Sequence, residues 1–170
     1  MKRSFLPLCL FLLISSLLPA WSDPGSTPGE MDLKLWKLQV LKGAAATLST
    51  NTDAPNSATN LVVDVQEGGS GELWAVQIYY PLSVTKGKTY HLKFIMKSSP
   101  EHYVFIDVTG MREPYTRLSE GKSLPLRGHW EEIEYVFTPK EDDSNARILL
   151  TNLNVPGTKF YIANVTLTMD

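Results

Sequence analysis

The sequence predicts an all-β protein, a β-sandwich built from two antiparallel sheets. β-Branched and aromatic residues recur in runs of about five to nine, which is the length and composition of strands. Clusters of Gly, Pro, Asn, Asp and Ser separate these runs, and such clusters form turns. No helical period continues beyond Ser22. Many short strands with regular turns are typical of a sandwich.

Each predicted strand is bounded by turn residues such as EGGSGE, TKGK and PKEDDSN. The predicted strands are Leu33–Leu41, Ala44–Ser49, Asn60–Val65, Leu73–Pro81, Thr89–Lys97, Tyr103–Thr109, Trp130–Phe137, Ala146–Asn152 and Lys159–Leu167.

The first residues have the pattern of a secretory signal peptide. Two basic residues precede an apolar run from Phe5 to Ala20, and cleavage is expected after Ser22. A membrane anchor is the alternative, but the run contains prolines and serines and is shorter than the roughly 20 residues that a span needs. We therefore expect residues 1–22 to be removed and the protein to be secreted, extracellular or periplasmic, without membrane association after cleavage.

The rest of the chain divides into a short linker and one domain. Residues 23–30 read DPGSTPGE, a composition typical of a flexible linker. Residues 31–170 suffice for one sizeable core and are too few for two ordinary domains. The one cysteine, Cys9, lies in the signal, so the domain must depend on its core and not on a disulfide.

The charge balance excludes one class of partner. The formal net charge is −2, and it falls to about −4 once the two basic residues of the signal are removed. Nucleic-acid binding needs a clustered positive face, which a mildly acidic chain does not favour. We expect no nucleic-acid partner and a monomeric protein.

Alternation within two predicted strands places polar and aromatic side chains on an outer face of the sandwich. In the run 73–81, Gln77 and Tyr79 point away from the side that carries Trp74, Val76 and Ile78. In the run 103–109 the outer set is Tyr103, Phe105, Asp107 and Thr109. If the two strands are neighbours, these side chains form a ligand platform. By the same pattern Trp36, Trp74 and Trp130 are predicted to lie in the core.

Several runs carry a resemblance to a known family. They are LWAVQIYYPLSVTKGKTYHLKFIMKSS, HWEEIEYVFTP and ARILLTNLNVPGTKFYIANVTL. Their order and spacing resemble the carbohydrate-binding modules of the family 4, 9 and 22 type. Those modules show a Trp-x-Val-Gln-Leu strand, a Gly-Lys-Thr-Tyr turn, a Trp-led strand ending in Phe-Thr and a closing Tyr-Ile-Asp-Asn-Val-Ser-Leu strand. The resemblance covers the chain from about Trp36 to its C-terminus.

The resemblance implies a jelly roll that binds a polysaccharide or oligosaccharide along one concave sheet, without catalysis. A β-glycan such as xylan or β-glucan is the expected ligand. Gln77 stands at the glutamine of the family motif, and Tyr79 shares its face. The ligand-binding residues that the resemblance implies are Gln77, Tyr79, Tyr103, Asp107, Arg112, Tyr115 and Glu134.

Two departures from the family pattern bear on metal binding. The closing strand of the family usually carries an Asp, which often helps to hold a structural calcium, where this chain has Ala163. The Phe-Glu-x-Gly signature before the first Trp is also missing, since Met31 to Trp36 reads MDLKLW. We therefore predict no cofactor and no metal ligands, with the calcium site absent or rebuilt.

Two other classes of function remain open. An enzyme needs a catalytic constellation, and the chain has neither a Gly-x-Ser-x-Gly elbow nor a metal-type spacing of its histidines. A jelly-roll lyase or hydrolase using Tyr103, Arg112, Tyr115 and His129 is the one catalytic alternative. A secreted protein-interaction or adhesion sandwich is the other, because the same architecture serves that purpose. No catalytic residue is predicted.

Overall fold

The structure is a computed structural model that describes residues 29–170. The expected signal peptide and most of the expected linker therefore lie outside the described residues. Within them the chain forms strands joined by turns and two short 3-10 turns, Leu33–Leu35 and Pro55–Ser57. The strands are β1 (Gly29–Glu30), β2 (Lys37–Val40), β3 (Ala44–Asn51), β4 (Asn60–Gly68), β5 (Val76–Val84), β6 (Tyr90–Ser99), β7 (His102–Gly110), β8 (Lys122–Leu126), β9 (Glu131–Phe137), β10 (Asp143–Thr151) and β11 (Lys159–Met169). No helix in this part of the chain is long and apolar enough to cross a membrane.

The strands form two antiparallel sheets, which confirms the predicted fold class. The front sheet has the order β2-β5-β10-β7-β8. The back sheet has the order β3-β4-β11-β6-β9, with β1 paired to β11. Chain neighbours are often apart in space, since β10 lies between β5 and β7.

The core lies between the two sheets and follows the predicted alternation. In β6 the inward set of Tyr90, Leu92, Phe94 and Met96 is buried, as predicted. Burying a large apolar side chain contributes about 1.5–3 kcal/mol, so these inward rows supply most of the stability of the sandwich. Trp36 also lies in the core, where its ring meets the edge of Tyr80 at 5.6 Å between centroids.

Two of the three tryptophan predictions are wrong. Trp130 lies half-buried beside β9, with its ring against Tyr161 at 6.1 Å and Lys97 at 5.0 Å. Trp74 is 54% exposed, because β5 begins only at Val76 and Trp74 stands in the preceding turn. Alternation holds only within a strand, so it gives no side for a residue in a turn.

Besides shifts of up to three residues at the ends of strands, the strands differ from prediction in three places. Leu33–Leu35 forms a 3-10 turn, because the Asp32 side chain accepts a hydrogen bond from the Lys34 N–H at 2.9 Å. Gly29–Glu30, assigned to the linker, pairs with β11. β8 was not predicted, since its sequence KSLPL has few strand-forming residues. Its Pro125 lacks an N–H, and proline is tolerated at the edge of a sheet, where β8 lies.

Candidate functional site

A groove of about 730 Å³ lies over the outer face of the front sheet. Its floor is formed by outward side chains of β2, β5, β10 and β7, and its ends are formed by the turns before β5 and after β7. Aromatic, aliphatic, amide and charged groups all contribute to it. The lining residues are Gln39, Leu41, Leu73, Trp74, Gln77, Phe105, Asp107, Thr109, Tyr115, Arg117, Arg147, Leu149 and Thr151.

The register of the front sheet explains why these side chains meet. Gln39 pairs with Gln77 across β2 and β5, and Arg147 pairs with Thr109 across β10 and β7. Directly opposed residues have their Cβ atoms about 4.5–5.5 Å apart and on the same face. The floor is therefore a set of cross-strand pairs, held in place by the backbone ladder.

Hydrogen bonds orient the polar groups of the floor before any ligand is present. The Gln77 Nε2 donates to Gln39 Oε1 at 2.8 Å. Arg147 donates through Nε to Thr109 Oγ1 at 3.1 Å and through Nη1 to the same Gln39 oxygen at 3.4 Å. Gln77, Arg147 and Thr109 are all buried. A fixed array of donors and acceptors of this kind suits a ligand with many hydroxyl groups.

Arg147 lies between two tyrosine rings. Its Cζ is 5.4 Å from the ring centroid of Tyr79 and 5.2 Å from that of Tyr115. Both distances fall within the range of a cation–π interaction. Tyr115 is placed by a tight turn, in which its N–H donates to the Arg112 carbonyl at 2.7 Å and its own φ is 54°. Burial lowers the pKa of Arg147 from its ordinary value, because the guanidinium has lost most of its hydration.

Asp107 carries a carboxylate into the floor. Its Oδ2 forms an ion pair with Arg117, and its Oδ1 accepts a hydrogen bond from the Val108 N–H at 2.8 Å. Burial raises the pKa of Asp107 above its ordinary 3.8, and the nearby Arg117 offsets only part of that effect. The carboxyl group is thus a hydrogen-bond acceptor within the groove, and its charge is paired with that of Arg117.

Aromatic rings border the groove above this polar floor. Trp74 and Tyr115 are 54% and 47% exposed, and Phe105 lines the groove from β7 as a half-buried side chain. The turn that carries Trp74 is held by two backbone bonds, Ala75 N–H to the Glu72 carbonyl at 2.8 Å and Asn152 N–H to the Leu73 carbonyl at 2.6 Å. The exposed indole therefore sits on a fixed support.

The structure brings some of the predicted ligand-binding residues together. Gln77, Asp107 and Tyr115 line the groove, and Tyr79 reaches it through its contact with Arg147. Tyr103 lies 48% exposed near the start of β7, beyond the residues that line the groove. These positions locate the side chains, while their roles in binding stay predictions.

Two predicted residues lie elsewhere. Arg112 lines a separate polar depression of about 310 Å³ together with Glu113 and Asn145. The prediction that Glu134 shares the site is wrong, because β9 belongs to the back sheet. There its carboxylate lies 3.4 Å from Lys93 Nζ. Alternation assigns a residue to the outside of the sandwich, but it does not say which of the two outer faces.

Sequence reasoning missed the contribution of β10. The predicted platform assumed that the strands now called β5 and β7 were neighbours, whereas β10 lies between them and adds Arg147, Leu149 and Thr151 to the floor. The sequence did contain a pattern that indicates an outward position for Arg147. The inward set of the run ARILLT is Ala146, Ile148 and Leu150, which leaves Arg147 facing outward.

Within residues 29–170, the four residues of the catalytic alternative do not come together in one site. Of these, Tyr115 lines the groove, Arg112 lies in the separate depression and His129 pairs with Glu131 at 3.5 Å beside β9. Across residues 29–170, no group of three or more His, Cys, Asp or Glu side chains is arranged to hold a metal ion. At the position of the family's calcium-binding Asp, Ala163 is fully buried and its methyl group offers no oxygen ligand, while the absence of a calcium site stays a prediction.

A two-sheet sandwich with an aromatic-bordered, hydrogen-bonded groove over one sheet defines a ligand-binding module. The sequence gives the family: the model of the family 4/9 carbohydrate binding domain matches residues 36–153. The chain belongs to this family of carbohydrate-binding domains, which agrees with the resemblance seen in its motifs. No curated protein matches the chain in sequence.

Solved structures share the fold. A family 4 carbohydrate-binding module superposes with a TM-score of 0.66 at 17% identity, over 79% of this chain and 86% of that one. The N-terminal cellulose-binding domain of Cellulomonas fimi β-1,4-glucanase C gives 0.63 at 17% identity, over 86% and 97%. An arabinose-bound α-L-arabinofuranosidase gives 0.61 at 15% identity, over 86% of this chain and 25% of the enzyme. At these identities the likeness establishes the fold alone, a jelly-roll β-sandwich.

Proposed function

We propose that this protein binds a β-glycan chain, such as xylan or a β-glucan, in the groove of the front sheet. One observation carries the proposal beyond the family: a floor of buried, mutually bonded polar side chains lies beneath exposed aromatic rings. Binding is non-catalytic. The protein holds a polysaccharide and does not cleave it.

The chemistry of a sugar matches these two layers. The C–H faces of a pyranose ring are apolar and pack on aromatic rings, for which Trp74 and Tyr115 are the exposed candidates. The hydroxyl groups of the sugar need fixed donors and acceptors, which Gln77 and Gln39 supply. Because both amides are already oriented, little side-chain entropy is lost on binding.

The groove is also extended across the sheet, as binding of a polysaccharide chain requires. It extends from the turn at Trp74 across the sheet to the turn at Tyr115, and we propose that successive sugar rings lie along this direction. Tyr103 lies beyond the lining at the start of β7, and we propose it as a further contact for a longer chain. We further propose that the protein is exported and meets its glycan outside the cell, on the pattern of its first 22 residues.

Isothermal titration calorimetry with a panel of soluble β-glycans, including xylan and mixed-linkage β-glucan, tests the proposal. We expect saturable binding by the wild type and loss of about tenfold or more in affinity for Trp74→Ala and Gln77→Ala. Val136→Ala is the matched control, since Val136 is 49% exposed on β9 of the back sheet. Thermal melting checks that all variants fold.

No binding to any member of the panel by the folded wild type would contradict glycan binding and favour a protein-interaction role. Equal losses for Val136→Ala and Trp74→Ala would place the site away from the groove.

A further inference from the structure

The floor of the groove contains a buried cation without a carboxylate partner. Arg147 is only 7% exposed. Among residues 29–170, no Asp or Glu forms an ion pair with it. Asp107 supplies the one carboxylate among the described lining residues, and it is paired with Arg117. Two arginines and one aspartate leave the groove with one positive charge in excess.

This arrangement is unusual, because buried charges are normally paired. Arg147 is stabilised here by two neutral oxygens and by the rings of Tyr79 and Tyr115. These contacts replace its lost hydration incompletely, since burial still lowers its pKa. A negative charge from outside the protein would complete the site.

The guanidinium also retains hydrogen-bonding capacity. It has five N–H donors in a planar fork. Two bonds, from Nε to Thr109 and from Nη1 to Gln39, leave Nη2 without an acceptor in the part of the chain that the structure describes. Arg147 lines the groove, so a ligand that lies there can approach its side chain.

We infer that the groove takes an acidic glycan, in which the carboxylate of a uronic acid residue pairs with Arg147. This inference rests on the proposed function and names the class of glycan. A carboxylate accepts a charge-assisted hydrogen bond from a guanidinium N–H, and Nη2 is the nitrogen of Arg147 that has no acceptor among the described residues. The aromatic rings then pack on the sugar that carries the acid group or on its neutral neighbours.

The test compares each acidic polysaccharide with its own carboxyl-reduced form, which keeps the backbone and removes the charge. Glucuronoxylan and short β-1,4-linked glucuronate oligomers are the two probes, and titration calorimetry gives their affinities at low and high salt. We expect the wild type to bind an acidic form about tenfold more tightly than its reduced form, as a charge-assisted hydrogen bond requires. High salt should reduce that preference.

Arg147→Gln should abolish the preference, so that the variant binds the acidic and the reduced form with equal affinity, whatever the change in its overall affinity. The matched control is Arg127→Gln, which removes the same charge from an exposed residue paired with Glu131 at 3.1 Å. A sulfated xylan is the third probe, and a preference for it over glucuronoxylan would contradict recognition of a carboxylate.

Each outcome separates the inference from the proposed function. Equal affinity of the wild type for acidic and reduced forms would overturn the inference and leave glycan binding intact. Binding to none of the probes or neutral glycans would overturn both. If Arg147→Gln does not fold, the wild-type comparison of acidic and reduced forms decides alone.

Discussion

At the scale of single residues, two buried titratable groups show how the sandwich holds polar atoms. Asp107 lies in the groove with Arg117 as its partner. Tyr135 is buried on β9, where its hydroxyl bonds to Ser119 Oγ at 2.8 Å and donates to the Glu120 carbonyl at 2.7 Å. Burial is the largest cause of the raised pKa of each residue. Because one is a carboxyl group and the other a phenol, they should affect stability in different ranges of pH.

Asp107→Asn should remove one source of pH dependence. The pKa of Asp107 is higher in the folded than in the unfolded state, so the folded state holds more protons in the window that starts near 3.8. Its contribution to the free energy of unfolding is therefore largest at low pH and declines as pH rises through that window. Urea unfolding from pH 3 to pH 7 should show the variant gaining stability relative to the wild type. If the free energies of unfolding of the variant and the wild type change in parallel with pH, the predicted role of Asp107 is wrong.

Tyr135→Phe should act at alkaline pH. Burial raises the pKa of Tyr135 to about 12, against 10.0 ordinarily, so the unfolded chain loses the proton first. Stability should fall by about 1.4 kcal/mol per pH unit between these values in the wild type, and less steeply in the variant. At neutral pH the variant should lose about 1–2 kcal/mol, because Ser119 loses a buried partner. Chemical denaturation at pH 7 and pH 11 measures both effects, and identical slopes would refute the first.

At the scale of elements, the position of β10 decides the character of the site. It pairs with β5 on one side and β7 on the other, so its outward residues occupy the middle of the floor. The excess positive charge in the groove comes from this strand through Arg147. The edge strand β8 contributes to packing and not to the groove, since it extends the front sheet and adds Leu124 and Leu126 to the core.

Leu124→Ala tests whether β8 packs as the structure shows. Leu124 is 4% exposed, whereas its chain neighbour Ser123 is exposed on the opposite side of the strand. We expect Leu124→Ala to lower the free energy of unfolding by about 2–4 kcal/mol. The matched Ser123→Ala should change it by less than about 0.5 kcal/mol. Equal effects in urea unfolding would mean that residues 122–126 do not form this strand.

At the scale of the whole molecule, the two sheets share one core. Buried residues of both sheets, such as Ile78 and Phe160, belong to the same apolar cluster, so neither sheet has a core of its own. The groove lies on the outer surface of the front sheet, and ligand binding there acts on the stability of the entire sandwich. A ligand at a concentration of 100 times its Kd adds about 2.7 kcal/mol to the free energy of unfolding.

Unfolding should therefore be a single cooperative transition. In urea, tryptophan fluorescence, to which the buried Trp36 contributes, and far-ultraviolet circular dichroism, which reports on both sheets, should give the same midpoint. A saturating β-glycan should raise both midpoints together. Separate midpoints would show that the two sheets unfold independently.

The sequence predicted most strands and the division of each into two faces. This succeeded because side-chain alternation is local: Leu92 and Phe94 are buried for the same reason that His91 and Lys93 are not. The prediction from alternation failed outside regular strands, at Trp74, which lies in a turn, and at β8, which contains a proline. The motifs alone identified the carbohydrate-binding resemblance, which the family match confirms.

By itself the sequence determined the fold class, the alternating core rows within the strands and the family. The tertiary structure alone decided which outward faces come together. It placed Arg147 between Tyr79 and Tyr115, and it put Glu134 on the sheet opposite the groove. The physical reason is that a strand's period sorts its residues into two sides, whereas the order of strands depends on pairing between distant segments, which no local pattern records.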